Sequence, residues 1–141
     1  MVARRKFSTN PERRALMQRV RQSGTPAERT VAKVCRELGL HYRLNVRSLP
    51  GSPDLANKKG RWAIFVHGCF WHRHSGCPKA TTPKRNARFW RDKFQSNRAR
   101  DARKIKELHL SGYDVLVLWQ CETEDRGPLR RRLQIWAKRV A

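Results

Sequence analysis

Apolar residues recur at helical spacing between Thr25 and Gly39, in the stretch TPAERTVAKVCRELG. Thr25 is placed as an N-cap, Pro26 suits the first helical position, Glu28 completes a capping box, and Gly39 is a stop signal. The pattern predicts an amphipathic helix whose buried stripe consists of Ala27, Val31, Val34, Cys35 and Leu38.

Shorter apolar runs with strand character follow this helix. LHYRLNV predicts a first strand, and the turn-rich SLPGSPDL leads into a second strand that begins near Asp54. NKKG predicts a hairpin turn, after which RWAIFVH has the β-branched and aromatic enrichment of a buried strand. Asp54 and His67 are therefore expected to lie near one another on neighbouring strands.

The second half of the chain predicts two more helices around one strand. A polar helix is expected from Asn86 to about Leu110, with Gly112 after its end. YDVLVLWQC is an unbroken apolar run, which predicts a strand buried on both faces at the centre of a mixed sheet. The order helix, three strands, helix, strand, helix predicts an α/β sandwich around one sheet. The expected inward residues are Phe89, Phe94, Ile105 and Leu108 in the long helix, and Leu129, Leu133, Trp136 and Val140 in a final helix after Pro128.

Composition adds a polyanionic partner to this picture. Lysine and arginine number 33 against 11 aspartate and glutamate residues, a formal net charge of +22, which suits a nucleic acid. The basic residues spread along the whole chain, which disfavours a membrane surface, and there is no apolar run of membrane-spanning length and no signal peptide. We therefore expect a cytoplasmic protein.

A length of 141 residues is typical of one domain. Residues 1–14 are basic and polar and predict an arm that orders on DNA. The expected division is an arm and DNA-contacting helix over residues 1–22, followed by a single domain over residues 23–141.

The segment HGCFWHRHSGC carries the metal chemistry. Cys69, His74 and Cys77 have the spacing C-x4-H-x2-C, and Cys121 follows the last strand as a fourth ligand, a donor set that favours a structural Zn²⁺. Cys35 lies on the apolar stripe of the first helix and is assigned to the core. His67 and His72 remain outside the ligand set, and either a catalytic role or a place beside the metal stays open for them.

Four segments together resemble the very short patch repair (Vsr) endonucleases: SLPGSPDL, FVHGCFWHRH, FWRDKFQSNRARD and VLVLWQCE. The resemblance covers roughly residues 12–122. It implies a restriction-endonuclease-like α/β fold, a mixed sheet flanked by helices, with a structural zinc site. It also implies a bacterial, nucleoid-associated enzyme that nicks DNA beside a T:G mismatch with Mg²⁺.

Carried over position by position, the resemblance implies that Asp54 and the main-chain carbonyl of Val66 bind Mg²⁺. The family usually has threonine at the latter position. It implies that His72 is the general base on the attacking water, that His67 assists at the phosphate or the leaving group, and that Glu28 acts on the cation through water. An oxygen ligand suits Mg²⁺, and an imidazole titrates near neutrality. The capping box remains an alternative for Glu28, and a turn role remains one for Asp54.

The zinc ligands that the resemblance implies are the four residues that ligand chemistry selects, with one residue inserted before Cys77.

For DNA, the resemblance implies that Phe70, Trp71 and Trp90 form an exposed wedge that enters the base stack, and that Lys93 and Asn97 read the T:G pair. Met17 would enter from the minor groove. A core position for Trp90 and apolar filler for Met17 stay open. Phosphate neutralisation is expected from Arg98, Arg100, Arg103 and Arg130 to Arg132.

The expected partner is double-stranded, mismatched DNA bound by a monomer, with other mismatch-repair proteins as further candidates. Two other functions remain open. One is a nicking nuclease of the same fold with relaxed or different specificity. The other is a non-catalytic zinc-bearing DNA-binding module.

Overall fold

The first helix begins and ends where its sequence signals predict. A computed structural model describes residues 24–140, so Met17 and the predicted arm lie outside the described residues. Helix α1 spans Pro26–Glu37, and the Thr25 hydroxyl accepts a hydrogen bond from the Glu28 backbone N–H at 3.3 Å. The chain leaves the helix through Gly39, which has a φ of 81°.

Four strands form one mixed sheet in the order β1-β2-β3-β4. Their bounds are Arg43–Leu44 (β1), Leu55–Asn57 (β2), Trp62–His67 (β3) and Asp114–Trp119 (β4). The pairs β1–β2 and β2–β3 are antiparallel, whereas β3 and β4 are parallel. In register, Leu55 lies opposite Ile64 and Val66 lies opposite Leu118. Asp54 therefore enters β2 beside the carboxyl end of β3, as expected.

The first strand is much shorter than LHYRLNV predicts. Asn45 has a φ of 48°, which takes the chain out of the extended conformation after Leu44. Backbone bonds from Asn45 N to the Asp54 oxygen (2.9 Å) and from Val46 N to the Pro53 oxygen (3.0 Å) continue the pairing in a loop. Residues 45 and 46, which were predicted to lie in the strand, therefore begin a loop that these two backbone hydrogen bonds hold in place.

Strand β4 is an edge strand within residues 24–140, so its predicted central position is wrong. Its apolar run has another cause. Leu116 and Leu118 pack with the α1 side of the sheet, and Val115 and Val117 pack with the opposite side. The unbroken apolar run of β4 therefore results from burial of both of its faces, and the interior strands of the sheet are β2 and β3.

The helices cover the two faces of the sheet unequally. Helix α2 spans Ala87–Leu110 and α3 spans Arg126–Val140, two residues earlier than Pro128 predicts, with a 3₁₀ turn over Gln120–Glu124 between β4 and α3. Helices α1 and α3 pack on one face around Leu129 and Leu133, and α2 packs on the other through Leu108. None of the helices described between residues 24 and 140 is long and apolar enough to cross a membrane.

One inward position of α2 was predicted wrongly. Phe89 is 36% exposed, whereas Trp90 is 5% exposed and Phe94 4%. Trp90 and Phe94 lie one turn apart on the side of α2 that meets the loop after β3. This loop supplies a third apolar cluster, which the sequence stripe does not reveal.

Candidate active site and metal centre

A cleft of about 920 Å³ opens where β2 begins and β3 ends. Helix α1 contributes Glu28, the strands contribute Asp54 and His67, the following loop contributes His72, and α2 contributes Asp101. Acidic and imidazole side chains from five separate segments thus meet at one end of the sheet.

Asp54 presents a carboxylate held against the backbone of β3. Its Oδ2 accepts a hydrogen bond from the Val66 N–H at 2.6 Å. Burial raises the pKa of Asp54 from its ordinary 3.8 to about 7, the Val66 N–H opposes the rise, Glu28 adds to it, and His72 opposes it. A nearby cation would favour the ionised form of this carboxylate and so oppose the effect of burial.

His67 and His72 lie face to face, with ring centroids 3.9 Å apart and planes at 6°. The pKa of His67 is lowered from its ordinary 6.5 to about 4, chiefly by burial and also by the neighbouring His72, with Asp101 opposing the shift. His67 is therefore neutral at neutral pH and can donate one hydrogen bond without carrying a charge.

Asp101 is a site residue that the sequence reasoning missed. Its Oδ2 lies 2.5 Å from His72 Nδ1, and the two side chains are only 24% and 29% exposed. This bond fixes the orientation of the imidazole and leaves its other nitrogen for chemistry. The missed signal was periodic, because Lys93, Asn97 and Asp101 are spaced four residues apart on one face of α2.

Glu28 both caps the N-terminus of α1 and lines the cleft. Its carboxylate accepts from Gly24 N at 2.9 Å and from the Thr25 hydroxyl at 3.2 Å, as a capping residue does. It is also close enough to raise the pKa of Asp54. The two interpretations left open for Glu28, a helix cap and a residue that acts on the cation through water, are therefore compatible.

A second group of ligands lies beside this cleft. The ligand atoms of Cys69, His74, Cys77 and Cys121 all lie within 4.8 Å of one another. His74 Nδ1 is 3.7 Å from Cys69 Sγ and 3.4 Å from Cys121 Sγ, and its ring stacks on Trp119 at 4.4 Å. Three sulfurs and one imidazole nitrogen fit a tetrahedral Zn²⁺ better than they fit a hard cation. Cys35 is buried in the core, as predicted.

The loop between the ligands turns at the position where the resemblance implies one inserted residue. Cys77 N donates to the His74 oxygen at 3.3 Å, and Gly76 takes a φ of 72°. Arg73, which the sequence did not single out, donates to the Phe70, Ala80 and Thr81 oxygens at 2.9–3.2 Å. Its guanidinium also lies 4.0 Å from the Phe94 ring centroid. This one side chain therefore ties the loop to α2.

The predicted exposed wedge is wrong for this conformation of the chain. Trp71 is 8% and Trp90 5% exposed, with their rings 5.9 Å apart, and Phe70 is half-buried against both. Helix α2 runs alongside the loop, and Phe94 completes a closed aromatic cluster. The alternative of a core position for Trp90 is the one that the structure supports.

The predicted base-reading residues line the same cleft. Lys93 is exposed, whereas the Asn97 amide donates to the Trp71 oxygen at 3.3 Å. Two predicted phosphate ligands are paired within the protein instead. Arg130 bonds Glu37 at 2.9 Å and Arg132 bonds Glu122, so both secure α3 to its neighbours.

Known proteins similar to this chain identify its family. Residues 6–79 match the family described as DNA mismatch endonuclease Vsr. The chain belongs to this family. A DNA mismatch endonuclease Vsr of Escherichia coli is 35% identical over 125 residues, 85% of this chain and 80% of the relative. A type II nicking enzyme of Xanthomonas oryzae is 44% identical over 126 residues, 89% and 92% of the two chains.

A second type II nicking enzyme, from Neisseria meningitidis, is 36% identical over 125 residues, 89% of either chain. The resemblance seen in the four sequence segments is therefore confirmed, and the Vsr family is one of DNA endonucleases. The matched range of the family includes Glu28, Asp54, His67 and His72.

Proposed function

We propose that this Vsr-family chain hydrolyses one phosphodiester bond beside a T:G mismatch in duplex DNA, in a Mg²⁺-dependent reaction that initiates very short patch repair. The observation that carries the proposal is the cleft itself. A buried carboxylate, two stacked imidazoles and an orienting aspartate converge there beside a separate Cys/His group.

The donor chemistry of the cleft fits a hard cation. Asp54 and the main-chain carbonyl of Val66 would hold Mg²⁺, and Glu28 would face its hydration shell. When bound, the cation supplies positive charge to the scissile phosphate. The raised pKa of Asp54 supports this assignment, because burial without a cation makes the ionised form costly.

His72 is the general base in this proposal. Its Nδ1 is bonded to Asp101, so the other ring nitrogen accepts the proton of the attacking water as the new P–O bond forms. Asp101 stabilises the imidazolium that results. Neutral His67, stacked on His72, donates a hydrogen bond to the phosphate or to the leaving oxygen as the old P–O bond breaks.

Zinc has an architectural role in the proposal, in a restriction-endonuclease-like domain over residues 23–141. Cys69, His74, Cys77 and Cys121 would close a four-coordinate site with no open position for catalysis. The group joins the loop that carries His72 to the end of β4. Residues 1–22 are the proposed DNA-contacting arm, and the protein is proposed to act as a monomer in the bacterial cytoplasm, on nucleoid DNA.

Mismatch selection is assigned to the aromatic cluster and the neighbouring face of α2. The cluster adjoins His72, and the Trp90 Nε1 is buried without a hydrogen-bond partner among residues 24–140. Insertion into DNA would need this cluster to open toward the base stack. Unstacking a base step costs a few kcal/mol and less at a mispair, so insertion of the opened cluster would favour mispairs. Met17, Lys93 and Asn97 would complete recognition.

The proposal is tested by mapping nicks on duplexes that differ only in one pair, with T:G, the other mispairs and paired DNA, in Mg²⁺. We expect a single nick in one strand at T:G, preferred over paired DNA by roughly a hundredfold, the equivalent of about 2–3 kcal/mol of unstacking. Equal cleavage of every duplex contradicts the mismatch assignment. Binding without cleavage in Mg²⁺ or Mn²⁺ supports a non-catalytic module.

A nicking enzyme with relaxed or different specificity is the second candidate. Two observations favour it: similar proteins are type II nicking enzymes, and the net charge of +22 raises affinity for any DNA. Nicking of paired DNA that persists at high salt distinguishes this candidate from mismatch repair.

A further inference from the structure

Arg47 lies in the cleft without any role in the chemistry described above. It is exposed, and it lines the cleft together with Asp54, His72 and Arg100. None of the ion pairs or hydrogen bonds recorded among residues 24–140 involves its side chain, whereas Arg130 and Arg132 on α3 are paired with carboxylates. A cation beside a hydrolytic centre that has no protein partner is available to an anionic ligand.

The loop that carries Arg47 is held in place from both ends. Val46 N donates to the Pro53 oxygen at 3.0 Å, and Ser52 N donates to the Leu49 oxygen at 3.0 Å. Val46 and Leu49 also pack into the apolar cluster under α2. The main chain at Arg47 is therefore fixed before any ligand arrives, which reduces the entropy lost on binding.

The same loop is pressed against α2 at one glycine. Gly51 has a φ of 77°, and a Cβ there would lie 3.0 Å from Lys104 Cβ and 3.1 Å from the Phe65 ring. Lys104 is one turn from Arg100, so the loop extends the basic face of α2 onto a second element. Lys104 pairs with Glu107 at 3.8 Å, whereas Arg47 on the loop and Arg100 on α2 both line the cleft.

We propose that Arg47 binds a backbone phosphate of the duplex next to the scissile bond and, with Arg100, holds that strand over Asp54 and His72. The inference rests on the proposed function only in that the cleft receives duplex DNA. A guanidinium fits this ligand because its fork matches two phosphate oxygens. The contact is made to the backbone, so it acts equally on matched and mismatched sequences.

The test is the salt dependence of duplex binding in the absence of a divalent cation, so that no turnover occurs. Arg47→Ala is expected to weaken binding roughly tenfold and to reduce the slope of log K against log salt by about 0.9, the value for one phosphate contact. Lys138→Ala is the matched control, because Lys138 is an exposed cation on α3, which packs on the opposite face of the sheet. It should leave both quantities unchanged.

Arg47→Lys keeps the charge and should restore the slope while recovering only part of the affinity. A slope for Arg47→Ala equal to that of the wild type, or an equal loss in Lys138→Ala, overturns the proposal. If the wild type binds but does not nick, the proposed function fails and the slope still decides the role of Arg47. If the wild type nicks and the slope is unaltered, only the Arg47 assignment fails. Absence of duplex binding overturns both.

Discussion

The bond between His72 and Asp101 gives the account a quantitative prediction. Asp101→Asn keeps the size of the side chain but removes the charge that faces His72 Nδ1 at 2.5 Å. Both side chains are less than one third exposed, so water replaces this contact poorly. A hydrogen bond to a charged partner contributes about 1.5–3 kcal/mol, and the imidazolium forms only as the base takes its proton. At 1.36 kcal/mol per tenfold, the nicking rate should fall roughly 10- to 150-fold.

The assay is single-turnover nicking of a T:G duplex at saturating enzyme, with duplex affinity measured separately. Asp92→Asn is the matched control, since Asp92 lies exposed on the same helix and has no ion pair among residues 24–140. We expect the rate to fall in Asp101→Asn alone, with duplex affinity within about threefold of wild type. An unaltered rate, or a loss confined to affinity, would show that Asp101 does not orient the base.

Three further predictions concern stability. In native mass spectrometry, Cys121→Ala should show no bound zinc, and its free energy of unfolding should be lower than that of the wild type by more than about 4 kcal/mol. Cys35→Ala should keep the metal. Zinc retained by Cys121→Ala would refute the ligand set. Asp54→Asn should stabilise the cation-free protein, because the folded state holds the Asp54 proton more tightly than the unfolded state. Urea titrations should show a gain that grows from about pH 4 to about pH 7 and is flat above, and a gain independent of pH would contradict the burial of this carboxylate. Gly51→Ala should lower the free energy of unfolding by about 1–3 kcal/mol, because Gly51 has a positive φ and a Cβ there would contact Phe65. A thermal melt identical to that of the wild type would show that the loop moves to accommodate the methyl group.

Local signals predicted the elements of this fold well. Thr25, Pro26 and Gly39 marked the bounds of α1 because caps and stops act within a few residues. The place of β4 at the sheet edge was not predictable in this way. The apolar run of β4 results from helices that cover both faces of the sheet. An edge strand and a central strand covered in this way have the same hydrophobic pattern.

The candidate site was predictable to different degrees. Cys69, His74 and Cys77 lie in one short loop, so their spacing alone indicated a shared metal. The spacing of Lys93, Asn97 and Asp101 marks one face of α2, but it does not reveal that Asp101 contacts His72 across the fold. The bonds from Arg73 to the backbone of residues 80–81 have no sequence signal either. The burial of Trp71 depends on where a 24-residue helix passes the loop, which only tertiary packing determines.

The central claim is that Asp54 anchors a hydrolytic centre that cuts one DNA strand. Single-turnover nicking of a T:G duplex by Asp54→Asn in Mg²⁺ tests it most directly, because this variant is expected to be folded and to bind DNA. We expect nicking to fall at least about 1,000-fold, the loss expected when the ligand of a catalytic cation is removed, while duplex affinity is retained. Nicking by Asp54→Asn within about tenfold of the wild type would contradict it.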